Sequence, residues 1–482
     1  MKLSTLLKDV DYVVKQGNDE LEIEHLVYNS KKVLPNSVFV SMNGALVNGD
    51  AYIQEAINKG AIAIVSENEN LNFKDITIIC VKNIRNVLAC MSCTFFDYPA
   101  KSIRTIGITG TKGKTTSAMM VYHMLLSCHQ KVGYIGTNGA YINQKHFETA
   151  NTTPESYEVQ SLFRQMVDAG CKYVVMEVSS IGILRHRLDG FNFDIGCFTN
   201  LSNDHIGPNE HATFEEYLNC KAELFKRSKL SIINEDDDYA SVMKEASCDS
   251  ILPISLRYIG LNEISDVDYV SDDNYLGMHF SYKNQYFKIP LPGLFNVSNA
   301  ILAVSIGECL NLSLKDMADA LVNVNIQGRS EVVPTYPNVK VIIDYAHNAI
   351  SMEKIVVMAK HYHPKRLITL FGCGGNRAKS RRFEMGKVSG TYADLSIITS
   401  DNSRFEKTSD IIQDIITGLA PTNGKYVTIE NRQEAIEYAL KNAMPGDMIL
   451  ILGKGHEMYQ EINGEKFEFN ERQIILDYVN KA

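Results

Sequence analysis

The run IGITGTKGKTTSAMM, residues 106–120, groups three glycines, two lysines and a Thr-Thr pair in a spacing that can do chemistry. β-Branched residues lead into Gly110 and Gly113, and an apolar-periodic segment follows. That order of strand, glycine loop and helix aims backbone N–H groups and a helix N-terminus at an anion. Gly110, Thr111, Lys112 and Gly113 would form the loop, Lys114 would carry a mobile cation to a phosphate, and the hydroxyl of Thr115 or Thr116 would reach Mg²⁺. One position departs from the usual spacing, because Ile108 stands five residues before Gly113, where a glycine is common. A glycine turn that merely begins a helix is the plain alternative.

Other polar clusters also follow apolar runs. Glu177 ends YVVMEVSS, where an acid beside a nucleotide loop can hold Mg²⁺ directly or through water. Asp204, His205 and His211 fall in TNLSNDHIGPNEH without nearby cysteines or a helical His pair, so a second hard-metal site using His205 is the functional reading and a hydrogen-bonded loop histidine the plain one. Arg185 and Arg187, two apart on a loop after a strand, suit a carboxylate or pyrophosphate, or are solvated surface cations. GCGGNRAKSRR and Arg404 of SDNSRFE fit a substrate with more than one negative group. Lys221, in the amphipathic FEEYLNCKAELFKRSK, gains no role from its spacing, since most such lysines run their stems along apolar surface toward water. The CxxC of Cys90 and Cys93 lacks a second pair and reads as packing.

The elements that must position these residues alternate strand and helix throughout. Continuous apolar strands such as AIAIVS, YVVMEVSS, VKVIIDYAH and DMILILGKG imply parallel sheets covered on both faces, an α/β fold. In such sheets ligands bind off the carboxyl ends of the strands, which is where the clusters fall. At 482 residues the chain exceeds one ordinary core, and three domains are expected: 1–100, 101–328 and 329–482, with boundaries near Pro99 and Gly328. The middle domain is a parallel-sheet phosphate-loop (P-loop) domain with a polar, β-rich insertion over about 251–290, and the last is a Rossmann-like doubly wound domain. The first residues mix charge into apolar positions and no apolar run could span a bilayer, so a cytoplasmic protein is expected, with no membrane partner. Ten scattered cysteines fit a reduced chain, and a net charge of −9 without a basic stripe argues against nucleic acid.

The ordered set TGTKGKTT, NTTPES, MEVSS with RHR, FTNLSNDHIG, YLNCKAELF, FNVSNA, GRSEVV, DYAHNAISME, GCGGNR, DNSR and GKGHEMYQ resembles the Mur ligases of peptidoglycan synthesis, nearly end to end. The N-terminal NSKKVLPNSVFVSMNG and NKGAIAIV are similar to that family's uridine-binding domain. The resemblance implies a monomeric ligase that uses ATP to phosphorylate the carboxylate of a UDP-muramoyl dipeptide and then joins an amine to it. It implies that Ser30 lies near the uridine nucleotide, and Thr152, Thr153, Ser179, Arg185 and Arg187 near the sugar–dipeptide. Lys114, Thr115 and the loop would hold ATP, with Asn296 and Asn299 at the adenine and Arg329 and Asp344 contacting ATP from the third domain. Two Mg²⁺ would be served by Thr115, Glu177 and His205, and by Lys221 as a carbamylated lysine, which reverses the plain reading of that residue. Arg377, Asp401, Asn402, Arg404, Gly453 and Glu457 would surround the incoming amino acid.

Which amino acid is added follows from charge. In the family, a DNPR motif marks use of meso-diaminopimelate; here Ser403 replaces the proline, and Pro154 stands where a glycine is often found. Arg404 and Glu457 together suit a distal carboxylate and a distal ammonium, whereas L-lysine would leave Arg404 without its anion. meso-Diaminopimelate is therefore expected, with L-lysine or another diamino acid, a folylpolyglutamate synthase-like ligase and a non-catalytic nucleotide-sugar-binding protein as alternatives. Water would destroy an acyl phosphate, so closure about the Pro99 and Gly328 linkers is also expected.

Overall fold

A computed structural model describes residues 1–44, 48–203, 206–207, 210–255, 263–272 and 275–481. They form two compact units, 1–255 and 256–482. The first unit holds two sheets. The smaller runs Tyr12–Gln16, Thr77–Val81, Ala61–Ser66, Ser37–Val40, His25–Val27, parallel except for the antiparallel first pair. Val38, Val40, Ala63 and Val65 face one core while Phe39 and Ile64 face another, and this two-sided burial is why these strands read as unbroken apolar runs.

The larger sheet runs Ser250–Ile254, Ser228–Asn234, Phe193–Phe198, Arg104–Thr109, Tyr173–Glu177 and Val132–Gly136, all parallel. Gly139–Ile142 and Lys145–Phe147 extend it antiparallel. The β-rich insertion expected from residue 251 is corrected here, because Ser250–Ile254 is the edge strand of this sheet and the separate antiparallel sheet begins at Ile264. The segment reads as β, but strand pairing is not written in its pattern, and Pro253 is tolerated because this strand is an edge.

Arg104–Thr109 leads straight into the loop and the helix Lys114–Ser127. Ile108 is a fully buried strand residue, so the turn starts at Gly110. A Cβ on Gly110 would lie 1.8 Å from Thr199 Oγ1 at a φ of 151°, and Gly113 has a φ of 87° at the helix N-cap; neither position accepts a side chain without strain. The helix has no side-chain cap, whereas Phe214–Lys226, Leu314–Leu321 and Arg432–Lys441 are capped by Thr213, Ser313 and Asn431.

In the second unit, Ile264–Ser271, Leu276–Tyr282 and Gln285–Ile289 form an antiparallel sheet followed by the helices Leu294–Cys309 and Leu314–Leu321. A six-stranded sheet follows in the order Glu331–Val333, Lys340–Asp344, Asp447–Leu452, Arg366–Phe371, Leu395–Ile398, Tyr426–Thr428, parallel except at its first edge. Met448, Leu450 and Leu452 join one core with the helices Ala349–Lys360, Ser380–Tyr392 and Thr408–Leu419, while Ile449 and Ile451 join another with Arg432–Lys441 and Glu471–Lys481. This is the expected doubly wound arrangement. Gly328 is not a slack linker residue: at a φ of 66° it packs on Gly455 and His456, where a Cβ would come within 2.0 Å of the His456 amide nitrogen. No helix among the described residues is long and apolar enough to cross a membrane.

Candidate functional site

The phosphate loop is braced from one neighbouring segment. The Thr111 amide donates to Asn200 O (2.8 Å), the Lys112 amide to Asn200 Oδ1 (3.0 Å), and Asn200 Nδ2 and Thr199 Oγ1 both donate to Lys112 O (3.0 and 2.7 Å). Thr111 Oγ1 also meets Tyr217 Oη at 2.9 Å. Lys114 Nζ lies 2.7 Å from Gly110 O and 3.1 Å from Thr111 O, curled along the loop. Lys221 does not run to the surface as its helical spacing implied: it is 2% exposed, packs over the Tyr217 ring and donates to the same Gly110 carbonyl at 2.8 Å. Two ammonium groups therefore converge on one oxygen.

Beside them, Glu177 is fully buried at the end of its strand. Its Oε1 accepts from Tyr134 Oη (2.7 Å) and the Thr137 amide (2.8 Å), and its Oε2 from Thr115 Oγ1 (2.9 Å) and Thr137 Oγ1 (3.2 Å). Four neutral donors hold this carboxylate. Thr116 is buried in the first turn of the helix. A magnesium ion on a nucleotide needs one or two carboxylates and hydroxyl or phosphate oxygens, and the Glu177, Thr115 and Thr137 oxygens are donors of that hard kind. No group of three or more His, Cys, Asp or Glu side chains forms a metal cluster among the described residues. Asp204 and His205 lie outside the described residues. His211 is fully buried against Tyr217, with Nδ1 3.3 Å from Glu216 Oε2, and burial holds its pKa below the ordinary histidine value.

Most of the expected substrate-side residues are linked to Glu177. Thr152 Oγ1 is 3.1 Å from Thr137 Oγ1, and Thr153 Oγ1 donates to Glu177 O at 2.9 Å and accepts from the Ser179 amide at 3.0 Å. Ser179 caps a short helix, Ser180–Leu184, so Arg185 and Arg187 follow a helix end where a plain loop was expected. Arg187 donates to Thr153 O (2.9 Å) and pairs with Glu155 (2.6 Å), which Arg85 also approaches at 3.5 Å. Burial lowers the pKa of Arg85, and Arg185 and Arg187 add to this while Glu155 opposes it. Arg85 and Arg187 thus flank Glu155, with Arg185 and Glu67 close enough to act on Arg85. Ser30 stands apart, its hydroxyl on Glu55 (3.1 Å) and its carbonyl on Lys59 (3.0 Å).

The second unit gathers the rest. Asn296 and Asn299 are buried one turn apart on Leu294–Cys309, and Asn299 Nδ2 donates to Asn296 Oδ1 at 3.2 Å. Asp344 accepts from the Ser330 and Ala346 amides (2.7 and 2.9 Å); burial raises its pKa and Arg329 opposes the rise. The Arg329 guanidinium sits 4.6 Å from the Tyr345 ring centre. Three adjacent strands, Asp447–Leu452, Arg366–Phe371 and Leu395–Ile398, bring together at their carboxyl ends the segments containing Gly453 and Glu457, Arg377, and Asp401, Asn402 and Arg404. A Cβ on Gly453 would sit 2.6 Å from Asp401 Oδ2. Asn402 Nδ2 donates to Glu457 Oε2 at 2.8 Å. Arg404 Nη1 donates to Gly375 O at 2.7 Å, and its Nε lies 3.3 Å from Glu461 Oε2. Arg377 is exposed and makes no ion pair among the described residues.

Several functional neighbours escaped sequence reasoning. Thr199 and Asn200 stood inside a quoted motif, FTNLSN, yet nothing in their types said that they brace the loop. Lys454 likewise stood inside a quoted motif, GKGHEMYQ, without being singled out, and Tyr134, Thr137, Arg85 and Glu461 carry no local pattern that distinguishes them from ordinary core or surface residues.

Comparison with known proteins agrees in every segment. The Mur ligase family catalytic domain matches residues 22–95, the Mur ligase middle domain 108–307, and the Mur ligase glutamate ligase domain 328–455. A UDP-N-acetylmuramoyl-L-alanyl-D-glutamate–2,6-diaminopimelate ligase of Caldanaerobacter subterraneus subsp. tengcongensis is 40% identical, covering 100% of both chains. One of Clostridium perfringens is also 40% identical, over 99% of each. A solved structure of a ligase with the same name superposes with a TM-score of 0.70 at 26% identity, covering 100% of this chain and 99% of the other. With three family domains in order and relatives matched over their whole length, the chain belongs to the Mur ligase family.

Proposed function

We propose that the chain is an ATP-dependent amide ligase that joins meso-diaminopimelate to UDP-N-acetylmuramoyl-L-alanyl-D-glutamate through an acyl phosphate. The observation that carries this reading is the juxtaposition of Lys114 and Lys221 on the Gly110 carbonyl with the hydroxyl-held carboxylate of Glu177 at Thr115. In the reaction, a carboxylate oxygen of the dipeptide takes the γ-phosphoryl group and ADP leaves. The amine nitrogen then attacks the activated carbonyl, loses a proton and expels phosphate. The loop amides and Lys114 would hold the β- and γ-phosphates and offset the charge that moves between them. Mg²⁺, when bound with the nucleotide, supplies further charge neutralisation at the transferred group. Thr115 and Glu177 would hold one ion, and Glu177, His205 and Lys221 as its carbamate the other. Carbamylation replaces the second of two crowded cations with an anion, removing a like-charge contact inside the loop.

In this reading residues 1–100 bind the uridine nucleotide through Ser30, 101–328 bind ATP, and 329–482 bind the amino acid. Thr152, Thr153, Ser179, Arg185 and Arg187 orient the dipeptide, while Asn296, Asn299, Arg329 and Asp344 serve ATP. Diaminopimelate is favoured because Arg404 and Glu457 offer one cation and one acid for the two charges at its far end, and because the similar Caldanaerobacter and Clostridium ligases are named for it. The chain would act as a monomer in the cytoplasm, where ATP is supplied; none of its ten cysteines is in a disulfide. The test is phosphate release from ATP with the muramoyl dipeptide across candidate amino acids. Release that requires meso-diaminopimelate supports the proposal, release with L-lysine in its place overturns the specificity, release only with a folate and glutamate supports the rival ligase, and none with any supports a binding protein.

A further inference from the structure

A buried cation sits inside the amino-acid cluster. The Lys454 side chain has no exposed surface, and its Nζ lies 2.9 Å from Asn402 Oδ1 and 3.2 Å from Glu457 Oε2. Asn402 is fixed from three sides: Oδ1 accepts from Lys454 and from the Glu461 amide (2.9 Å), and Nδ2 donates to Glu457. Its amide can therefore point only one way. Glu461 in turn pairs with Arg404. Lys454 pairs with Glu457 and Arg404 with Glu461, and with Arg377 and Asp401 of the same site the six charges sum to zero.

We propose that Lys454 is a positioning and specificity-determining residue of the amino-acid site, an inference that rests on the diaminopimelate reading above. It orients Asn402 and Glu457, and its fixed charge sets the balance that an incoming side chain must meet. A side chain ending in one ammonium and one carboxylate leaves the cluster neutral. A lone ammonium, as in L-lysine, adds an unbalanced cation next to a buried one, which is costly where water is scarce. Replacing Lys454 by a neutral donor reverses this arithmetic: the cluster becomes −1, lysine neutralises it and diaminopimelate does not.

The experiment measures kcat and KM for meso-diaminopimelate and for L-lysine in wild type, K454Q, K454R and E461Q, with thermal unfolding of each. For K454Q the preference for diaminopimelate over lysine is expected to fall on the order of tenfold or more, mainly through KM for the amino acid, with KM for ATP unchanged. K454R, which keeps the charge, should retain the preference. E461Q, which leaves Lys454 in place and removes a negative charge, should strengthen it, so the claim stays testable should K454Q not fold. An unchanged preference in folded K454Q, equal losses for both amino acids and ATP, or a shift of E461Q in the same direction as K454Q overturns the inference. A wild type that ligates neither amino acid overturns the ligase reading and this inference with it.

Discussion

The phosphate loop and the amino-acid cluster both sit at carboxyl ends of parallel strands, yet they arrange charge in opposite ways. At the loop, Lys114 and Lys221 share a carbonyl while Glu177 is held by hydroxyls and one amide, so like charges are gathered and the acid is bonded to neutral donors. At the cluster, two acids each have a cation beside them: Glu457 has Lys454 and Glu461 has Arg404. The difference teaches that each site mirrors its proposed ligand. A polyanion with its metal needs separated protein charges to receive it, whereas a zwitterionic side chain fits a site that is already balanced.

The strongest way to break this contrast is at the loop. Lys114→Ala should cut kcat on the order of 10³-fold with the fold intact, because a preorganised charge on the transferred phosphoryl group is lost. Steady-state kinetics checks it, and a loss confined to KM for ATP would mean that Lys114 only binds. At the cluster, Arg404→Met should raise KM for diaminopimelate roughly tenfold to a hundredfold and leave KM for ATP alone, since it leaves Glu461 and the substrate carboxylate both without their cation. A change in KM for ATP of similar size would erase the distinction between the two regions.

Two smaller effects sharpen it. Asn200→Ala removes the two side-chain bonds to Lys112 N and Lys112 O, and should cost about 1–3 kcal/mol in urea unfolding. His456 lies near the balanced cluster, and burial, then Arg329, Lys454 and His347, lower its pKa from 6.5 to about 3. Between those values the unfolded chain binds a proton that the folded chain does not. The stability from neutral His456 is therefore intact above about pH 6.5 and is lost progressively as pH falls toward 3. Equilibrium unfolding across that range should show a shallower acid slope for His456→Asn than for wild type.

The same contrast decides what was legible in the sequence. The loop is one contiguous run, and strand, turn and helix signals fall on Arg104–Thr109, Gly110, Gly113 and Lys114–Ser127 as read. Even the departure at Ile108 resolves locally, as a buried strand residue. The cluster is assembled from segments 29 to 59 residues apart, linking Arg404 with Gly375 and Glu461 with Asn402. The hairpin Tyr459–Ile462 and Glu465–Glu468, which carries Glu461, exposes every residue of its second strand and so gave no apolar period to detect. Lys221 shows the limit within a single helix, because periodicity gives its face but not the loop carbonyl that the face meets. There only the family resemblance pointed to the residue at all.

The central claim is that the gathered charges of the loop serve to activate a carboxylate with ATP. It is tested most directly by labelling the dipeptide carboxylate with heavy oxygen and analysing the phosphate released during ligation by mass spectrometry. The account predicts one heavy oxygen in each phosphate, carried over when the amine expels it from the acyl phosphate. Phosphate free of the label, with amide product formed, would contradict it.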